Sequence, residues 1–239
     1  MIDRIKIFLF CLFSVALFSY LILSIGNKQN IKTVSSDTLN SDDLVLIIDA
    51  GHGGTDGGAV SSDGTLEADI NLQIAEKLRD VLTVLGYKTV MTRSDGNSLG
   101  DSSSSVRNEK VSDIHKRMDI MNSFENCLFI SIHQNYYQGS SSSGTQVFYS
   151  GNNDESFALA ESVQSSVISL IQPENHRKIK KSGSGIYLLY KAQKPAVMVE
   201  CGFLSDANET KKLKDNDYQL LLALSISNGI MDYTSQKDV

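Results

Sequence analysis

His52 and His133 each close an apolar run, Leu46-Ile47-Ile48-Asp49-Ala50-Gly51-His52 and Leu128-Phe129-Ile130-Ser131-Ile132-His133. Runs of that length with β-branched members read as buried strands of a parallel or mixed sheet. Ligands of such sheets gather outside the carboxyl ends of the strands. Two imidazoles carried to one rim therefore point to a metal site. A catalytic zinc takes three protein ligands and keeps a fourth position open. Glu67 is the natural third ligand, in the first turn of a helix that follows a glycine-rich loop. Its separation from His52 is too long for a local metal motif, and acids also favour helix N-termini for dipole reasons alone. Glu200 closes a further apolar run, Pro195-Ala196-Val197-Met198-Val199. A carboxylate there is costly to bury unless it is paired or used. Beside an activated water it is a proton acceptor and donor; its competing role is a salt bridge at the sheet rim with Arg117 or Arg93.

The elements that position these residues follow from periodicity. Strands are expected at Leu44–Asp49, Tyr87–Thr92, Cys127–Ile132, Thr145–Tyr149, Gly185–Leu189 and Ala196–Glu200. The loop Gly51-His52-Gly53-Gly54-Thr55-Asp56-Gly57-Gly58 holds five glycines, which admit backbone turns closed to other residues. A helix follows, capped by Thr65 and stopped by Gly86, with Ile70, Ile74, Leu78, Leu82 and Leu85 on its apolar stripe. Further helices are expected over Val106–Ser123, around Phe157, Ala160, Val163, Val167 and Leu170, and over Asn216–Tyr233. Serine-rich loops lie at Ser94–Ser105 and Gly139–Gly144. Strands alternating with helices predict an α/β three-layer sandwich, a mixed, mostly parallel sheet flanked by helices in a single catalytic domain.

Four separated segments, Asp49-Ala50-Gly51-His52-Gly53-Gly54, Glu67, Ser131-Ile132-His133-Gln134-Asn135 and Val199-Glu200-Cys201-Gly202-Phe203, resemble the signatures of zinc-dependent N-acetylmuramoyl-L-alanine amidases, in the expected order from about Val45 to Tyr233. The resemblance implies that His52, Glu67 and His133 bind one Zn²⁺ and that Glu200 is the catalytic acid/base. The implied reaction hydrolyses the amide between the lactyl group of muramic acid and L-alanine of the peptidoglycan stem peptide. Glu200 would deprotonate the attacking water and then protonate the departing alanine nitrogen. Asn135 either hydrogen-bonds substrate or is a turn residue; Asp49 either holds a histidine ring as acceptor or anchors the strand end. Arg117 either braces the sheet rim or meets a substrate carboxylate. His115 and His176 match no motif. The short form, without wall-binding repeats or a long inhibitory helix, looks most like the spore-cortex amidases of endospore formers. Those prepare muramic acid for cyclisation to muramic δ-lactam, the mark read by germination hydrolases, and relatives often need an exported activator.

Bulk properties bound the rest. With 239 residues and 41% hydrophobic side chains the chain can bury one sizeable core. A net charge of −6 argues against a nucleic-acid partner, which selects a basic face. Ile7–Ile25 is an uncharged 19-residue run behind Arg4 and Lys6, long enough to cross a bilayer. Residues 1–26 therefore read as a membrane anchor or a signal sequence, residues 27–43 as a linker and 44–234 as the catalytic domain. Either leader places the domain outside the cytoplasmic membrane, and the sporulation resemblance would put it between the forespore membranes. Cys127 and Cys201 read as small buried hydrophobes, with a disulfide open only if their strands are neighbours. Two rivals remain: Cys201 as a thiol nucleophile, and a non-catalytic or partner-activated peptidoglycan-binding module of the same fold.

Overall fold

Six strands form one mixed sheet in the order β2-β1-β3-β6-β4-β5. The computed structural model describes residues 44–101, 105–138 and 142–236, all within one compact unit, Ser41–Val239. The anchor, the linker and residues 139–141 of the Gly139–Gly144 loop lie outside the described residues. Among the described residues no helix is long and apolar enough to cross a membrane.

The strands are β1 (Val45–Ala50), β2 (Lys88–Met91), β3 (Cys127–Asn135), β4 (Gln146–Tyr149), β5 (Lys180–Lys181) and β6 (Ala196–Phe203). β1 pairs in parallel with β2 and β3, β3 with β6 and β4 with β5, while β4 runs antiparallel to β6. The central strands β1, β3 and β6 are buried on both faces, which is why they read as continuous apolar runs rather than alternating ones. Helices α1 (Glu67–Val84), α3 (Glu155–Ile171) and α6 (Asn216–Ser235) cover one face. There Ile74, Leu78, Val163 and Ile226 pack on Leu46, Ile48, Ile130 and Val199. Helix α2 (Val106–Asn122) and the short α4 (Tyr187–Lys191) cover the other, where Met121, Leu188 and Leu189 meet Ile47, Phe129 and Met198. Helix α5 (Ala207–Leu213) links β6 to α6.

Several sequence expectations are corrected. The segment expected as a strand at Gly185–Leu189 is a turn at Gly185-Ile186 running into helix α4 from Tyr187; Leu188 and Leu189 are both buried on one face, which a pleated strand cannot arrange for consecutive residues. Thr65 does not cap α1: its hydroxyl donates to Asp63 and the cap residue is Leu66, without a side-chain bond. Leu85, Phe157 and Leu170 are exposed, so their stripes are narrower than periodicity suggests. β5 and α5 were not expected. Cys127 and Cys201 are free. Their strands are neighbours, but the register pairs Phe129 with Ala196 and His133 with Glu200, so the two thiols lie toward opposite ends and on opposite faces.

Candidate metal centre and active site

Register builds the site. β1 and β3 run side by side with Ala50 opposite Ile132, so Gly51-His52 and His133 leave the sheet together. β3 and β6 place Glu200 beside His133. Glu67 arrives from the loop side, because the first amides of α1 are taken by loop carbonyls. Glu67 N donates to Ala59 O at 2.9 Å and Ala68 N to Gly57 O at 3.1 Å, satisfying helix-end donors and folding the glycine loop against the helix start.

The result is a cluster of ligand atoms from His52, Glu67 and His133, all within 4.8 Å of one another. His52 Nε2 lies 3.3 Å from Glu67 Oε2 and His133 Nδ1 lies 2.9 Å from Glu67 Oε1. Two imidazoles and a carboxylate are the donor set of a catalytic zinc, whose tetrahedral ligands at ~2.05 Å stand about 3.3 Å apart. The cluster fits that ion.

Supporting contacts fix each ligand. His52 has positive φ, 62°, a conformation rare outside glycine, and its Nδ1 lies 2.9 Å from Asp56 Oδ2. That contact leaves Nε2 to face Glu67, the arrangement by which an outer carboxylate orients a ligand histidine. The Glu67 carboxylate also accepts from Ala59 N at 2.9 Å and Gln134 N at 3.1 Å. Two glycines leave room for the ligands. A Cβ on Gly51 would collide with the His133 ring, and one on Gly58, at φ 68°, would sit 2.6 Å from Glu67 Oε2. Charge follows geometry. Burial opposes ionisation of Glu67, but hydrogen bonds from His133 and His52 hold its carboxyl well below the usual range. Burial would depress His52, yet Asp56 and Glu67 raise it to about 9.

Glu200 differs. Its Oε2 is buried and finds no hydrogen-bond partner among the described residues. Burial is the main force pushing its carboxyl up to about 7, with the neighbouring Glu67 charge adding and the His133 and His52 rings opposing. Neither arginine pairs with it, which removes the salt-bridge role. Arg117, 2% exposed, donates to Asp49, Asp113 and the carbonyls of Ala50 and His52. Arg93 donates to the carbonyls of Ala50, Gly51 and Ala68. A carboxyl with one buried, unpaired oxygen and a raised pKa beside the cluster makes Glu200 the candidate proton-transfer group.

The remaining expectations sort themselves. Asp49 is fully buried and accepts from Arg117, Ser131 and Thr92; it anchors the strand end, and Asp56 is the acceptor on the histidine ring. Arg117 braces the rim. Asn135 is the last residue of β3, and its carbonyl accepts from Leu204 N at 2.9 Å. Cys201 is buried in the core of the other face, where burial first and the Glu200 charge second push its thiol far up, so it is not a nucleophile. Beside the cluster runs a cleft of about 300 Å³, with Ile114, Ile186, Leu188 and Met198 on its apolar side and Lys110 at its rim. Lys110 Nζ lies 2.7 Å from Asp56 Oδ1. Sequence reasoning missed Asp56, although its place in the glycine loop, four residues past His52, was the available signal.

Comparison with known proteins shows the family of this fold. The family model described as N-acetylmuramoyl-L-alanine amidase matches residues 46–232. The germination-specific N-acetylmuramoyl-L-alanine amidase of Bacillus subtilis is 36% identical over 194 residues, covering 81% of each chain. The CwlD amidase of Clostridioides difficile, solved in complex with the GerS lipoprotein, superposes with a TM-score of 0.78 at 36% identity, covering 80% of this chain and 98% of that one. An N-acetylmuramoyl-L-alanine amidase of Clostridium difficile 630 superposes with a TM-score of 0.71 at 28% identity, covering 82% and 98%. With the family model matched along nearly the whole described domain and relatives 36% identical covered to 80% or more, the chain belongs to the N-acetylmuramoyl-L-alanine amidase family.

Proposed function

We propose that this amidase is zinc-dependent and cleaves the bond between the muramic lactyl carbonyl and L-alanine of the stem peptide, in spore cortex on the route to muramic δ-lactam. The observation that carries the chemistry is the unpaired, buried Glu200 oxygen beside three converging ligand groups. His52, Glu67 and His133 would hold the ion. Zinc in that position supplies Lewis acidity for the scissile carbonyl and makes water a nucleophile near neutral pH. Glu200 takes the proton of the attacking water and delivers it to the alanine nitrogen as the C–N bond breaks. In the metal-free chain burial raises this carboxyl, the direction that suits a group which must both take and give a proton near the working pH. Asp56 keeps His52 presenting Nε2, and Arg117 with Arg93 locks the carbonyls of residues 50–52 so that the strained His52 backbone holds its place.

The cortex role is supported by the similarity to the germination-specific enzyme. An exported lipoprotein partner is supported by the GerS complex of the similar CwlD amidase. We further propose that residues 1–26 tether or export the domain, placing it outside the cytoplasmic membrane or between the forespore membranes. Metal analysis of the purified chain, paired with mass spectrometry of digested peptidoglycan, tests the reading. One zinc per chain and released L-alanine-headed peptides are expected. Fragments cut within the glycan, or peptides lacking the N-terminal alanine, would overturn it.

A further inference from the structure

The outer half of the sheet carries a charge pattern that the catalytic cluster does not use. In a chain with 28 acidic and 22 basic residues, the segment His176-Arg177-Lys178-Ile179-Lys180-Lys181 gathers four lysines and arginines at the sheet edge. None of those four pairs with a carboxylate among the described residues, whereas Lys110, Lys116, Lys194, Lys212 and Lys214 each do.

Register aims this segment at the active site. Across the face that bears Glu200, β4 places Gln146 opposite Glu200 and Phe148 opposite Met198, and β5 places Lys180 opposite Phe148. The Lys180 ammonium lies 5.8 Å from the centre of the Phe148 ring. Gln146 Nε2 donates to the Lys178 carbonyl at 2.8 Å, so Lys178 continues the row that runs through Gln146 from Glu200. Behind it Arg177 is already fixed. Its guanidinium stacks on Phe203 at 4.4 Å and donates to Ser143 O at 2.9 Å and Gln146 Oε1 at 3.2 Å. Neighbouring strands stand about 4.8 Å apart, so β5 lies about 10 Å from Glu200. An extended peptide covers that distance in about three residues.

We propose that Lys178 and Lys180, backed by Arg177, form an anion subsite that takes a carboxylate of an acidic peptide within about three residues of the scissile amide. The proposal rests on the amidase reading for which peptide is bound, and on the register for where. Lysines at a sheet edge also discourage edge-to-edge pairing; that role protects solubility and is blind to the charge of a peptide.

The test compares two stem peptides, one with free side-chain carboxylates and one with those groups as carboxamides, in calorimetric binding to the full chain and in cleavage of the corresponding muramoyl peptides. Exposed ion pairs are individually weak, so two together are expected to favour the free acid by about fivefold. The preference should lie in Kd and KM and shrink at high salt. Lys178→Gln/Lys180→Gln should abolish the discrimination, while Lys194→Gln at the far end of β6 keeps it. Charge-dependent binding without cleavage, with the lipoprotein partner also present, would overturn the proposed scissile bond and leave the subsite standing. Cleavage and binding indifferent to the carboxylates, or a preference that survives the double substitution, would overturn the subsite. A preference that appears only with intact wall and not with the soluble peptides would also overturn it, assigning the basic edge to phosphate-bearing polymers.

Discussion

Replacing Arg117 by methionine removes a guanidinium that serves two buried acids and two carbonyls of the site loop. Asp49, 0% exposed, loses the one direct salt bridge it makes among the described residues and keeps the hydroxyls of Ser131 and Thr92. Asp113 keeps the Leu99 amide at 2.8 Å. Breaking a buried ion pair from one side costs about 3–5 kcal/mol, a large share of the ~5–15 kcal/mol that stabilises a domain. Chemical denaturation should therefore show a loss of about 4 kcal/mol at neutral pH. Part of that loss is the stranded charge of Asp49, so Arg117→Met/Asp49→Asn should be less damaged than the two single changes add up to, with a coupling of about 1–3 kcal/mol. The sign with pH is fixed as well. Burial opposes ionisation of Asp49, and Arg117 with Ser131 brings its carboxyl below the usual value, so it stabilises above the unfolded pKa of about 4 and less as pH falls through the folded one. Without Arg117 burial prevails, the folded value rises, and the deficit should narrow as pH drops and Asp49 takes a proton. A single variant costing less than about 1 kcal/mol, or a strictly additive pair, would refute the brace and return Arg117 to the role of a substrate contact.

Glu200→Gln keeps shape and should keep zinc, as measured by metal analysis, while turnover falls by about 10²–10⁴-fold, the range for a lost general acid/base; substantial activity would remove Glu200 from the chemistry. Gly58→Ala should lose metal affinity more than stability, because its methyl meets Glu67 Oε2 and His52 Cδ2; chelator competition and thermal unfolding separate the two. In chelator-stripped protein the raised His52, at about 9 against 6.5 unfolded, contributes stability that is full below about pH 6.5 and lost as pH rises through about 9, at most ~3 kcal/mol. Bound zinc requires neutral imidazole, so the loaded protein should not show that alkaline loss, and equal alkaline sensitivity of both forms would contradict the assigned ligand. Cys201→Ser should retain activity, measured on the same substrate, because the thiol lies in the opposite core.

How far the site could be read in advance depended on whether each residue's role was local. The strands that end near His52, His133 and Glu200 announce themselves because β1, β3 and β6 are buried on both faces and leave uninterrupted apolar runs. Helix α2 has only Asp113, Arg117 and Met121 buried, and two of those three are charged, so apolar periodicity says little about what its buried face does. The strand expected at Gly185–Leu189 failed for a related reason. Its apolar pattern was real, but the choice between strand and helix depended on which side both leucines had to face, and that is set by α2 lying across the sheet. The edge strand β5, Lys180–Lys181, has both residues exposed, and two exposed lysines carry no strand signal at all.

Asp49 and Asp56 show where sequence alone misassigns a role that geometry then decides. Both are acids within four residues of His52, and either could accept a hydrogen bond from its ring. The pleat settles it. Asp49 points with Ser131 and Glu200 into the face covered by α2, where Arg117 waits for it, and at that position it is consumed by neutralising a buried cation. The chain must turn between Gly51 and Gly58 before any side chain can come back beneath the His52 ring, and it does so through the reciprocal bonds of Gly53 and Asp56, 2.9 and 3.1 Å. That small turn returns Asp56 to His52 Nδ1 while the Gly57 and Ala59 carbonyls seat the first amides of α1. One loop thus orients the His52 ring and delivers the Glu67 carboxylate. The glycines are needed because a side chain on Gly51 would occupy the space of the His133 ring and one on Gly58 that of the Glu67 carboxylate and the His52 ring. The motif reads as a string of glycines around a histidine, but its function is a fold-back whose partners, the His133 ring and the Glu67 carboxylate, lie far along the chain.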